Sequence, residues 1–397
     1  MARLGDVFER QITGEWGSEC LENETGTNIL RTTNFTSDGI INYNNVVVRS
    51  IKKSKVESKR LHYGDIILEK SGGTDKTPVG RVVFCDPYIE TGTYLCNNFT
   101  QAMRVNPSMA VPKYVFYFMW NLHWSGKTEL MQNKTTGIRN LQVKSYLNQA
   151  LPIPSLDEQR RIAATLDKVT DLISKRRQQL DKLDELVKAR FVEMFGDPES
   201  NDKNWPVLPM SKICSVGSSK RIYQSEQSSS GVPFWRISDL TNLITTGTVT
   251  SELYIPEERY KKLKSQGQVP APGDILITSR GTLGQCYIVK VNDKFYFQDG
   301  MISWLSGYVD GVTPLYISYL FMMPGFRKQI DSMQAGSTVA YLSIAMIKKL
   351  KVMLPDIESQ QQFASFVGKT EKAKTTISRS LEKLETLKKA LMQECFG

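Results

Sequence analysis

The chain has 397 residues, 40% of them hydrophobic, and carries 51 Lys and Arg against 41 Asp and Glu, a net charge of +10. That length supports two or three buried cores, and the basic excess argues for an acidic partner, of which nucleic acid is the commonest. Two histidines (His62, His123) and six scattered cysteines without a Cys-x-x-Cys pair argue against a zinc site or disulfide framework, so the cysteines read as packed thiols.

The segment Met1-Ala2-Arg3-Leu4-Gly5-Asp6 has no signal-peptide character, and the run Tyr114 to Trp120 is far short of the roughly 18 apolar residues that span a bilayer. A cytoplasmic protein without membrane association is expected. Asn98-Phe99-Thr100 is then a chance match to a glycosylation triplet.

In chain order, residues 1–154 form a block with short β-branched strands at Val46-Val47-Val48, Ile66-Ile67-Leu68 and Val82-Val83-Phe84, followed by a buried helix around Tyr114 to Trp120. Residues 155–196 read as one long helix, because Ile162, Leu166, Val169, Ile173, Leu180, Leu183, Val187 and Met194 fall on a heptad seam interrupted at Arg176 and Arg190. A linker over 197–204 opens a second β-rich block, 197–355, with strands at Ile275-Leu276-Ile277 and Tyr287-Ile288-Val289. Residues 356–397 repeat the helix, with Phe363, Val367, Ile377, Leu381, Leu384, Leu391 and Cys395 on the seam and Thr370, Lys374 and Lys388 weakening it.

The two helical segments align without a gap at an offset of 201, from Pro154/Pro355 through Gln159/Gln360 to Phe195-Gly196/Phe396-Gly397. Ser155 and Asp356 are placed to cap them, and acids follow in the first turns. A seam this long needs a partner, and the other copy is the obvious one. The β-rich blocks share only a skeleton: Gly64-Asp65-Ile66 matches Gly273-Asp274-Ile275 at offset 209, Val79-Gly80 matches Leu283-Gly284 at 204, and Tyr114 matches Tyr316 at 202. The loop between the first two marks is therefore five residues longer in the first block.

Charge follows the same division. Each block carries +4, and each repeated helix only +1. The divergent loops hold the bases and hydroxyls: Arg31, Thr33, Asn34, Lys70, Ser71, Lys76 and Arg81 in the first block, and Lys220, Arg221, Arg236, Ser238, Ser279 and Arg280 in the second. These are candidate DNA-binding residues, since Arg and Lys reach guanine or phosphate, Asn pairs with adenine, and hydroxyls hold phosphate.

With these residues in view, the chain resembles the specificity (S) subunit of bacterial type I restriction-modification enzymes over essentially its whole length. The most specific marks are the helix starts Leu151-Pro152-Ile153-Pro154-Ser155-Leu156-Asp157-Glu158-Gln159 and Leu354-Pro355-Asp356-Ile357-Glu358-Ser359-Gln360, then Phe195-Gly196-Asp197-Pro198 and Gly231-Val232-Pro233-Phe234-Trp235-Arg236. Arg31 to Thr36 and Glu69 to Gly73 also look like parts of target-recognition domains. The second helix start departs from the first, with Gln361-Gln362 in place of Arg160-Arg161.

The resemblance implies an α+β fold in which two target-recognition domains are joined by an antiparallel coiled coil of the two long helices, with internal pseudo-twofold symmetry. It implies a subunit that is not itself an enzyme and holds no cofactor or metal. Each domain would read one half of a bipartite site on double-stranded DNA, two methylation (M) subunits would dock on the chain, and motor-nuclease (R) subunits would join for cleavage. S-adenosylmethionine, ATP and Mg are then expected on the partner subunits.

Catalytic motifs are weak throughout. Asn106-Pro107-Ser108 is not a methyltransferase Asn-Pro-Pro-Tyr, Ser125-Gly126-Lys127-Thr128 lacks the upstream glycine of a phosphate loop, and Glu57-Ser58-Lys59 is an isolated triplet. The competing expectation is a coiled-coil scaffold that presents two β domains to protein ligands.

Overall fold

The computed structural model describes residues 1–21, 25–74, 77–135, 138–334 and 340–397. Two compact units emerge: Met1–Gln178 together with Ser378–Gly397, and Gln179–Ile377. Unit 1 contains, in order, β1 (Ala2–Arg3), β2 (Phe8–Thr13), β3 (Thr27–Leu30), β4 (Val47–Arg49), α1 (Lys53–Lys59), β5 (Ile66–Glu69), β6 (Ser71–Gly73), β7 (Val82–Phe84), β8 (Tyr94–Cys96), β9 (Thr100–Val105), α2 (Pro112–Trp124), β10 (Gln132–Thr135), β11 (Ile138–Leu141), α3 (Val143–Leu147) and β12 (Ala150–Leu151). The long helix α4 (Leu156–Phe195) follows. Unit 2 continues with β13 (Val207–Pro209), β14 (Ser215–Gly217), β15 (Val232–Trp235), α5 (Ile237–Thr246), β16 (Tyr254–Ile255), α6 (Glu257–Ser265), β17 (Ile275–Thr278), β18 (Cys286–Ile288), β19 (Tyr296–Phe297), β20 (Ile302–Ser306), α7 (Pro314–Leu320), α8 (Pro324–Ser332), α9 (Ile344–Lys349) and β21 (Lys351–Met353), before the second long helix α10 (Ile357–Phe396).

The two units repeat one topology. Unit 1 has sheets ordered β2-β9-β5-β7, β4-β3-β8 and β1-β12, and unit 2 has β14-β20-β17-β18, β16-β15-β19 and β13-β21. Register agrees as well: Ile66 lies between Phe84 and Met103, as Ile275 lies between Ile288 and Leu305. The strands form here because their β-branched runs are buried on both faces. Along β5, Ile66 and Leu68 point to a core shared with α2, while Ile67 points to a second core with Ile12, Leu30 and Val83. The five extra residues of the first block have a structural use, since they carry β6, which pairs with β11 in the sheet β10-β11-β6.

Both long helices start where the cap residues place them. Ser155 Oγ accepts from the Glu158 N–H at 3.2 Å, and Asp356 Oδ1 accepts from the Ser359 N–H at 2.7 Å, which holds the Asp356 carboxyl below its usual range. Within unit 1 the helices run antiparallel: Ala163 and Leu166 of α4 share a core with Met392 and Phe396 of α10, and Arg177 bonds Glu385 at 2.8 Å. Unit 2 repeats this with Val187 and Phe191 beside Phe363 and Val367, and with Lys374 on Asp184.

The seam needs one correction. Leu166, Val169, Ile173, Val187, Phe363 and Val367 are buried as expected, but Ile162, Leu180, Leu183, Ile377, Leu381, Leu384 and Leu391 are only half-buried. Toward the helix ends the inner face passes instead to Phe191 and Phe195 in α4 and to Lys388, Met392 and Phe396 in α10. The buried positions there are four apart, because a straight helix of 3.6 residues per turn drifts off a heptad when it packs on a domain rather than around one partner. Each compact unit takes about half of each long helix. The 197–204 segment is internally bonded. Asp202 accepts from the Asp197 N–H, Asn201 bonds Trp205 in both directions, and the Trp205 indole donates to the Phe195 carbonyl at 3.0 Å, capping α4.

The repeated Gln now has a physical reason. Gln159, fully buried, accepts from the Val111 N–H at 2.9 Å and donates to the Pro154 carbonyl, and Gln360 does the same with Thr313 at 2.9 Å and Pro355. Val111 and Thr313 each precede the proline that opens α2 or α7, so one side chain ties a long helix to the start of a domain helix. Gln360→Leu, near in size but unable to accept, strands the Thr313 N–H. It should lower stability by about 1–3 kcal/mol in urea unfolding, with Gln159→Leu similar.

Candidate nucleic-acid interface

Loops far apart in sequence meet at one end of the sheets in each unit. In unit 1 the Asn97 N–H donates to the Leu30 carbonyl, the Glu15 N–H to Cys96, the Lys70 N–H to Phe99, and Arg81 Nη2 to the Thr32 carbonyl. Residues 13–16, 31–34, 69–71, 80–81 and 97–100 are thereby joined. Unit 2 joins the equivalent loops: the Gln298 N–H donates to Trp235, the Ser279 N–H to Met301, Ser219 Oγ to the Phe297 carbonyl, and Arg221 pairs with Asp299 at 2.8 Å. All the candidate loops whose residues are described reach this end.

The individual candidates divide by what their side chains already hold. Asn34 is 2% exposed, accepts from the Arg31 N–H and donates to the carbonyls of Asn42 and Asn44, so its amide holds a turn. Ser279 is buried against Ser303, and Ser71 bonds Asn140. Arg81 makes two bonds of 2.8 and 2.9 Å to the buried Glu69, which raise its pKa, and thus acts as the counter-ion of the loop. These four side chains are engaged inside the loops. Exposed or half-exposed at the sheet ends are Arg31, Thr33, Lys70, Lys220, Arg221, Arg236, Ser238 and Arg280. Lys76 lies outside the described residues.

Arg280 lies 5.3 Å from the Tyr341 ring, Arg221 is held by Asp299, and Arg236 is shared between Glu252 at 3.2 Å and Asp239 at 3.6 Å. Two features escaped the sequence reading. Asn98 and Phe99, dismissed with the glycosylation triplet, form the exposed turn from β8 to β9 beside Lys70, and Tyr223 is 63% exposed close after Arg221. The short gap Asn97-Asn98-Phe99 between strand runs could have flagged the first; nothing local flags Tyr223.

Among the described residues no group of His, Cys, Asp and Glu is arranged to hold a metal, and no helix is long and apolar enough to cross a membrane. All six cysteines are free. Glu57 and Lys59 sit on α1, where Lys59 bonds Glu15 at 3.0 Å, and Asn106 is spent bonding Ser108.

The family model for the type I restriction modification DNA specificity domain matches residues 1–184 and again 202–388. A putative type I restriction enzyme specificity subunit, S.HindORF215P of Haemophilus influenzae, is 27% identical over 244 residues, covering 60% of each chain. The MjaVIII specificity subunit of Methanocaldococcus jannaschii is 23% identical over 70% of this chain and 68% of its own. Among solved structures, the type I S subunit from M. genitalium aligns with all of this chain and 95% of its own at 16% identity and a TM-score of 0.56, a likeness of fold.

Proposed function

Because the chain belongs to the type I restriction modification DNA specificity domain family, we propose that it is the sequence-reading subunit of such a system, binding a bipartite site on double-stranded DNA with one sheet end per unit. The observation that carries this is the convergence of basic, divergent loops at equivalent ends of two units with the same topology. A scaffold that holds loops constant in place and variable in sequence suits recognition of two different half-sites.

The repeated helices supply what the two halves have in common. Their like surfaces would set half-site separation and dock two methylation subunits, with motor-nuclease subunits joining for cleavage. S-adenosylmethionine, ATP and Mg would be held by those partners, and this chain would contribute binding alone. Salt titration tests the reading against a scaffold for protein ligands. Binding of the full chain with its methylation partner to duplex DNA should fall by roughly 10³ or more between 50 and 200 mM salt if at least six phosphates are contacted. Salt-insensitive or absent DNA binding would refute it.

A further inference from the structure

We propose that Arg31 and Arg236 are equivalent anchors for the DNA backbone, each gripping a phosphate at the same place in its own unit; this rests on the reading of the chain as a DNA-binding subunit. The equivalence is set by strand register. Leu30 pairs with Cys96 and its carbonyl accepts from the Asn97 N–H at 2.9 Å, while Trp235 pairs with Phe297 and its carbonyl accepts from the Gln298 N–H at 2.9 Å. The next residue is arginine in both units. Each arginine N–H donates to a side-chain oxygen three residues on, Asn34 Oδ1 at 2.9 Å or Asp239 Oδ2 at 2.8 Å.

The neighbouring candidates do not coincide in this way. The N–H groups of Lys70 and Ser279 bond the equivalent carbonyls of Phe99 and Met301, which places Lys70 opposite Ser279 and Ser71 opposite Arg280. The carbonyls of Arg81 and Gln285 accept from Glu69 and Thr278, which places Arg81 opposite Gln285. Arginine is thus kept at one position while the cations around it change.

Positions kept for internal reasons keep their internal partners, as Gln159 and Gln360 do and as Tyr114 and Tyr316 do with the carbonyls of Pro152 and Met353. Arg31 and Arg236 keep their place and their main-chain partner three residues on, but their guanidinium groups do not keep theirs. Arg31 Nη2 donates to the Asn45 carbonyl at 3.3 Å, whereas Arg236 Nη2 reaches the Glu252 carboxylate at 3.2 Å. In both, Nε is buried without a hydrogen bond, that of Arg236 lying 3.6 Å from Asp239 Oδ2. The shared partner therefore lies outside the chain. Two half-sites of different sequence have one chemical feature in common, the sugar-phosphate backbone, and a guanidinium is suited to phosphate.

The test is equilibrium binding of the full chain, with its methylation partner, to its bipartite duplex and to an unrelated duplex across a salt series. Arg31→Gln and Arg236→Gln should each weaken both duplexes by the same factor, roughly tenfold near 0.1 M salt, and make the log–log salt slope shallower by about 0.9. Arg31→Lys and Arg236→Lys should restore the slope, which a merely structural arginine would not do. A variant that alters which bases are preferred, or that leaves affinity and slope unchanged, overturns the assignment while the DNA-binding reading stands. Wild-type chain that binds neither duplex in a salt-dependent way overturns both.

Discussion

Truncating Phe195 to alanine should cost about 3–5 kcal/mol, the largest loss expected from any single side chain at the helix ends. Phe195 is fully buried, with its ring centroid 4.9 Å from Phe191, 5.1 Å from Tyr316 and 5.4 Å from Phe363. Four rings on α4, α7 and α10 pack together there, so a cavity term adds to the lost transfer energy. The effect should be local to unit 2: by hydrogen exchange, amides of α7 should lose protection while those of α2 keep it. Phe396→Ala should do the reverse, because Phe396 packs on Tyr114 and Phe118 at 5.2 and 5.8 Å. A loss below about 1 kcal/mol, or equal deprotection of α2 and α7, would contradict this packing.

Arg104→Met should be nearly as damaging, at about 3–5 kcal/mol. Asp65 is 1% exposed and receives two bonds of 2.8 Å from the Arg104 guanidinium while also accepting from the His62 N–H to close the turn before β5. Methionine keeps the volume but leaves a buried carboxylate without its cation. Unit 2 shows the same turn with another solution, since Asp274 accepts from the Ala271 N–H and from the Trp304 indole, and burial raises its pKa. Urea unfolding of the Arg104→Met chain checks it; a loss below about 1 kcal/mol would show that the buried ion pair is not needed there.

Much of this architecture was legible because it is local or repeated. The 201-residue offset identified both long helices and the residues that cap them, and the β-branched runs located β5, β7 and β17. Helix ends were read less well, since Arg190 and Met194 fit a heptad on paper while Phe191 is the residue that fits the space between Tyr316 and Phe363. For the site, composition picked the right loops but could not separate a free guanidinium from one committed to Glu69, nor see that Asn34 is needed inside its own turn. Those distinctions depend on partners eight or more residues away and on burial. The equivalence of Arg31 and Arg236 was hidden for another reason: insertions around each strand give them an offset of their own, and only strand register reveals it.

The central claim is that each unit reads its own half of one bipartite site. The most direct measurement is the genome-wide pattern of methylated adenines in cells carrying wild-type chain, Lys70→Ala or Arg280→Ala. The account predicts a two-part motif in which Lys70→Ala relaxes or weakens the requirement at one half only and Arg280→Ala at the other half only. A single undivided motif, or two variants that both change the same half, would contradict it.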